Sequence, residues 1–98
     1  RQEGNSAVTA NDEDSTGMVI DNTPFANGDV TVTINGLNVD IGNGAKDEAC
    51  YLSNDGGTTA RLIADITAGD TLYWMGSIAG YELETSDEID IKYQKISN

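Results

Sequence analysis

Apolar and polar residues alternate with a period of two through most of the chain after residue 17, which is the pattern of half-buried β-strands. The clearest example is residues 30–41, where two alternating runs flank Asn35-Gly36, the dipeptide that best suits a type I′ hairpin turn. This turn places all six apolar side chains of the hairpin on one face. The predicted cross-strand pairs are Ile34 with Leu37, Val32 with Val39, and Val30 with Ile41.

Other short strands are predicted between turns rich in Gly, Asn and Asp. They lie at residues 18–21, 49–52, 71–75, 81–83 and 88–93. Residues 61–66 are ambiguous, because Leu62, Ile63 and Ile66 could support one helical turn or the end of a strand, and an extended or turn-like conformation is favoured. No long amphipathic helix is predicted. About seven short strands at this spacing indicate an all-β fold, a small antiparallel β-sandwich of jelly-roll or immunoglobulin-like type covering residues 17–98.

Residues 1–16 have a different composition, dominated by small polar and acidic residues around Val8. Such a segment buries too little apolar surface to offset the entropy lost on ordering. It is therefore predicted to be an extended N-terminal arm that gains structure only against a neighbouring subunit or shell. Deleting residues 1–16 is expected to leave the domain folded but to abolish attachment.

The charge of the chain narrows the range of partners. Seventeen acidic residues against five basic ones, with no histidine, give a formal net charge of −12. This charge repels phosphate backbones and anionic membranes, so neither nucleic acid nor a membrane is an expected partner. The core of so short a chain is modest, which favours association with copies of itself.

No recognisable catalytic motif occurs in the sequence. It has no histidine, no phosphate-binding loop and no Cys-x-x-Cys spacing, and its lone cysteine, Cys50, is expected to be a small buried residue rather than a nucleophile. Paired carboxylates occur at Asp87, Glu88 and Asp90, but on a strand end where they are expected to be solvated. No catalytic residue is assigned, and the chain is expected not to be an enzyme.

Calcium is the one cofactor for which donor residues are present. Ser53, Asn54 and Asp55 supply hard oxygen ligands on a tight turn. A second acidic group comprises Asp12, Glu13 and Asp14. Neither group has the ligand spacing of an EF-hand, and the alternative for residues 53–57 is a turn without a metal.

Aromatic residues offer candidates for a contact surface. Tyr73, Trp74 and Tyr81 are suited to stacking on a sugar, although alternation places Tyr73 and Trp74 on opposite faces of their strand. The alternative is that these rings serve the core and a subunit interface. Val8, Trp74 and Tyr81 are the candidate interface residues.

Several segments together resemble a module of tailed-bacteriophage virion proteins. They are residues 50–60, Ile63, Ile66, 69–74 and 76–83, with 32–36 upstream and 87–93 downstream. The resemblance spans residues 30–93 and departs from the pattern at Met75. It implies a β-sandwich of fibre and capsid-surface proteins, which commonly assemble as trimers, and it carries over no catalytic residue.

The functional hypothesis is a non-enzymatic virion structural protein on the virion surface, of the capsid decoration type. It would attach to the phage shell through its arm and its oligomer interface, with further copies of itself and the major capsid protein as partners. One alternative is a tail-fibre module that binds a receptor or glycan. The other is a calcium-stabilised module of a cell surface or pilus.

Overall fold

Two antiparallel sheets packed face to face make the fold an all-β sandwich. The computed structural model describes residues 2–9, 13–24 and 30–93. The strands are β1 (Gln2–Asn5), β2 (Glu13–Val19), β3 (Thr31–Ile34), β4 (Leu37–Val39), β5 (Cys50–Ser53), β6 (Thr71–Met75) and β7 (Glu88–Lys92). The first sheet has the order β1-β7-β3-β4 and the second the order β2-β6-β5. A 3₁₀ turn (Ile63–Asp65) precedes β6, and a single-turn helix, α1 (Gly76–Ala79), follows it.

One hydrophobic core lies between the sheets because alternate residues of each strand point inward. The first sheet contributes Val32, Ile34, Ile89 and Ile91, and the second contributes Met18, Cys50, Leu52, Leu72 and Trp74. Among the described residues, no helix is long and apolar enough to cross a membrane.

The β3–β4 hairpin has the predicted turn and register. Ile34 pairs with Leu37 and Val32 with Val39, and both turn residues, Asn35 and Gly36, have positive φ. The third predicted pair is absent from the ladder, because Ile41 instead forms a parallel bridge to Cys50. Leu37 is 73% exposed, since β4 is an edge strand with a neighbour on one side only.

The N-terminal segment differs most from its prediction. Residues 2–5 pair with β7, and β2 begins at Glu13, so the proposed boundary at residues 16 and 17 falls inside a strand. Ser6, Thr9 and Thr16 are buried in their own chain. The expectation of a separate arm is therefore wrong for residues 2–9 and 13–16.

The physical reason is that polar groups, rather than apolar surface, hold this segment. The Thr9 amide donates to the Leu83 carbonyl (2.9 Å), and the Leu83 amide donates to Thr9 Oγ1 (2.7 Å). The Thr16 hydroxyl donates to the Leu72 carbonyl (2.8 Å). A hydropathy pattern does not register such bonds.

The remaining predicted elements have mixed outcomes. The strand at 71–75 is confirmed with the same bounds, and those at 49–52 and 88–93 are confirmed to within one residue at each end. The turn-like interpretation of 61–66 agrees with the 3₁₀ turn there. The strand predicted at 81–83 is wrong: Leu83 is fully buried, but the segment is irregular.

Candidate functional site

The calcium candidates lie at the end of β5 and in the loop that follows, and the side-chain oxygens of Ser53 and Asp55 bond within this segment. The Ser53 hydroxyl donates to Asp55 Oδ1 (2.7 Å) and accepts from the Gly57 amide (3.1 Å). The Thr59 amide also donates to Asp55 Oδ1 (2.9 Å). These bonds, led by that from Ser53, lower the pKa of Asp55 from 3.8 to about 2.

The surroundings of this loop carry charges of both signs. Asn54 and Asp55 line a recess of about 480 Å³ together with Arg61 and Asp65. The guanidinium of Arg61 pairs with Asp70 (3.1 Å) and places a positive charge beside the recess. No group of three or more His, Cys, Asp or Glu side chains suited to a metal occurs in the described part of the chain. The calcium site stays a prediction that rests on donor type alone.

The second acidic group is only partly within the described residues, since Asp12 lies outside them. Glu13 accepts from Lys46 (3.0 Å), and the Lys46 ammonium lies 5.5 Å from the centre of the Tyr51 ring. Glu13 therefore serves a contact between β2 and the loop that leads into β5.

The three aromatic candidates do not form a shared platform. Trp74 is fully buried and its indole N–H donates to the Tyr81 carbonyl (2.8 Å), so Trp74 is not available to a partner. Tyr81 is 48% exposed, and its ring lies 5.3 Å from that of Trp74. Tyr73 lies on the opposite face of β6, as alternation predicted, and stacks on Tyr51 at 5.4 Å.

Of the candidate interface residues, Val8 and Tyr81 are on the surface. Val8 is 63% exposed. Its neighbour Thr9 is bonded to Leu83, so the segments that carry Val8 and Tyr81 run beside each other. Trp74 is not on the surface, contrary to its prediction as an interface residue, because its indole ring belongs to the core.

Asp87 holds the loop before β7 together. Its carboxylate accepts from the Glu84 amide (2.9 Å) and from the Asn35 carboxamide (3.0 Å), and these bonds, in that order, lower its pKa. Asp90 is 8% exposed, so the expectation that all three acids of this strand are solvated is wrong for Asp90.

Cys50 is fully buried, as expected from the sequence. Burial first, and then the negative charges of Asp40 and Glu48, raise the pKa of its thiol to about 12. A thiol of this kind is not a nucleophile near neutral pH.

The edge of the first sheet that β4 forms was not singled out from the sequence. A groove of about 460 Å³ lies beside β4, and Leu37 protrudes at the turn end of the same strand. The groove is lined by Val30, Thr31, Asn38, Val39, Asp40, Ile41 and Glu48. The sequence did show the alternation of β4, but it could not show that this strand is at an edge.

Fold and surface together define a small acidic β-sandwich with an exposed edge strand and an apolar residue upon it. Comparison with protein-family models, with curated proteins and with solved structures gives no match.

Proposed function

We propose that the chain is a non-enzymatic virion structural protein, a capsid decoration protein that binds the outer surface of a phage shell. The resemblance of residues 30–93 to virion modules supports this function, as does the β-sandwich fold that the resemblance implies. The partners are the major capsid protein and further copies of the chain, arranged as a trimer.

The N-terminal segment pairs with β7 and buries Ser6 and Thr9 in its own chain, so only its exposed side chains, such as Val8, are left for attachment. The observation that carries the proposal is the exposed edge at β4. An edge strand offers unpaired backbone groups to a neighbour, and Leu37 adds a side chain that is 73% exposed. Burying a leucine side chain contributes about 1.5–3 kcal/mol.

The test is sedimentation with phage shells that have been stripped of the native chain. Wild-type protein is expected to pellet with the shells at a fixed ratio to the major capsid protein. Leu37→Glu should bind at least about tenfold more weakly, because it loses apolar burial and adds a charge. Leu62→Glu is the matched control, since Leu62 is also exposed but lies in the loop before the 3₁₀ turn.

Two results would overturn the proposal. If the wild-type chain is found on tails and not on shells, the tail-fibre alternative replaces it. If the chain does not copurify with particles at all, the virion role is wrong. Equal binding by both leucine variants would reject the β4 edge alone, and the attachment surface would then lie elsewhere.

A further inference from the structure

The carboxamide of Asn35 is held at both ends, by the first residue of β7 and by the residue before it. Its Oδ1 accepts from the Glu88 amide (2.9 Å), and its Nδ2 donates to Asp87 Oδ1 (3.0 Å). The backbone amide of Asn35 also donates to the Glu88 carbonyl (2.9 Å). We call these three hydrogen bonds the Asn35 clamp.

Asn35 is followed by Gly36, and an asparagine before a glycine is the chemical setting for spontaneous deamidation. The glycine has no Cβ to obstruct its own nitrogen, so this nitrogen can reach the preceding carboxamide carbon. Both residues are exposed in the turn, so water has access to them. The clamp, however, holds the carboxamide in place through Asp87 and Glu88, which lie outside the turn.

We propose that Asn35-Gly36 is a deamidation site that the Asn35 clamp keeps closed in the folded chain and that opens when residues 84–88 separate from the hairpin. The Gly36 nitrogen bonds to Cγ of Asn35, the Cγ–Nδ2 bond breaks, and ammonia leaves with the proton that Gly36 gives up. Water then adds to one carbonyl of the resulting succinimide and opens it to aspartate or isoaspartate. The sequence consumes only water and changes no oxidation state.

The product cannot restore the bond of the clamp that reaches Asp87. A carboxylate at position 35 has no N–H to donate to Asp87, and its negative charge would lie where Nδ2 now lies, 3.0 Å from Asp87 Oδ1. In the aspartate product the other two bonds of the clamp can still form, so the contact between the hairpin and the loop before β7 is weakened at Asp87. Asp87 also accepts through its carbonyl from the Ser6 amide (3.1 Å).

Within the part of the chain that the structure describes, a second Asn-Gly pair provides an internal reference. At Asn43-Gly44 the attacking nitrogen is itself engaged, because the Gly44 amide donates to the Arg61 carbonyl (3.0 Å). The Asn43 carboxamide oxygen accepts from the Ile63 amide (2.8 Å). Asp87 makes none of these bonds, so its removal should affect Asn35 and spare Asn43.

The experiment ages the protein at mildly alkaline pH in ¹⁸O-labelled water and measures the label at each asparagine by fragment mass spectrometry. Deamidation at Asn35 should be about tenfold or more slower in the folded wild type than in guanidinium chloride, since two hydrogen bonds hold the carboxamide. Asp87→Ala should raise the deamidation rate at Asn35 and leave the rate at Asn43 unchanged. Asp47→Ala removes the same charge at an exposed position and should change neither rate.

Equal rates at Asn35 in the folded and the denatured wild type would overturn the proposal without any variant. The proposal would also be overturned if Asp87→Ala did not raise the deamidation rate at Asn35, or if it raised the rates at Asn35 and Asn43 equally.

Discussion

At the scale of single residues, the Asn35 clamp requires a donor on one side of the carboxamide and an acceptor on the other. Asn35→Asp keeps the size of the side chain and its Oδ1 acceptor, but replaces the donor that faces Asp87 with a negative oxygen. We expect this variant to lose about 1–3 kcal/mol of unfolding free energy in guanidinium denaturation at neutral pH. Asn38→Asp, the same change at an exposed position on β4, should stay within about 0.5 kcal/mol. Equal losses in both variants would show that the clamp adds nothing to stability.

The carboxylate of Asp55 makes stability depend on pH. Its pKa is lowered on folding from 3.8 to about 2, so its contribution is complete above pH 3.8 and is lost as the pH falls through about 2. The melting temperature of the wild type should therefore fall across this interval. The melting temperature of Asp55→Asn, whose new side chain does not titrate, should fall less steeply. Parallel curves for the two proteins would show that the Ser53 and Thr59 hydrogen bonds do not favour the ionised form.

At the scale of elements, the sequence was informative where burial follows a period of two. The hairpin pairs Val32 with Val39 and Ile34 with Leu37 as predicted, because a slip by one residue would expose the apolar face. The first strand could not be predicted, since Gln2–Asn5 contains no apolar side chain and pairs through its backbone. The position of Trp74 in the core could not be predicted either, because alternation assigns Tyr73 and Trp74 to opposite faces of the strand without indicating which face is buried.

The loop between β5 and the 3₁₀ turn covers the outer face of the second sheet, and Gly57 allows this close approach. A Cβ at Gly57 would lie 2.8 Å from the Tyr73 ring, whereas a Cβ at Gly56 would meet nothing, and both glycines have positive φ. Gly56→Ala should cost about 1–2 kcal/mol for the left-handed backbone alone. Gly57→Ala should cost measurably more in the same denaturation assay, because the ring must also move. Equal costs would mean that the loop is not packed on Tyr73.

The N-terminal segment offers a second comparison between neighbours. Thr9→Val removes the Oγ1 that accepts from the Leu83 amide while keeping the shape of the side chain, so a buried N–H loses its partner. We expect a loss of about 1–3 kcal/mol. Val8→Thr is the control and should be nearly neutral, because Val8 is 63% exposed. If neither variant changes the denaturation midpoint, residues 2–9 would behave as the separate arm that the composition indicated.

At the scale of the whole molecule, negative charge dominates the surface. The formal net charge is −12, and two of the three bases in the described residues, Lys46 and Arg61, are already paired with acids of the same chain. The remaining carboxylates repel one another more strongly in the compact state than in an expanded one. The composition revealed this charge in full, but only the structure shows which bases are engaged in ion pairs.

Sodium chloride should therefore stabilise the protein. The Debye screening length falls from about 10 Å at 0.1 M salt to about 3 Å at 1 M, so the melting temperature should rise over this interval. Each kcal/mol of relieved repulsion corresponds to roughly 4–8 °C for a domain of this size. Calcium chloride at equal ionic strength should give the same rise, because the oxygens of Ser53 and Asp55 are engaged in their own loop. A larger rise with calcium that disappears in Asp55→Asn would establish the calcium site, and would favour the cell-surface alternative over capsid decoration.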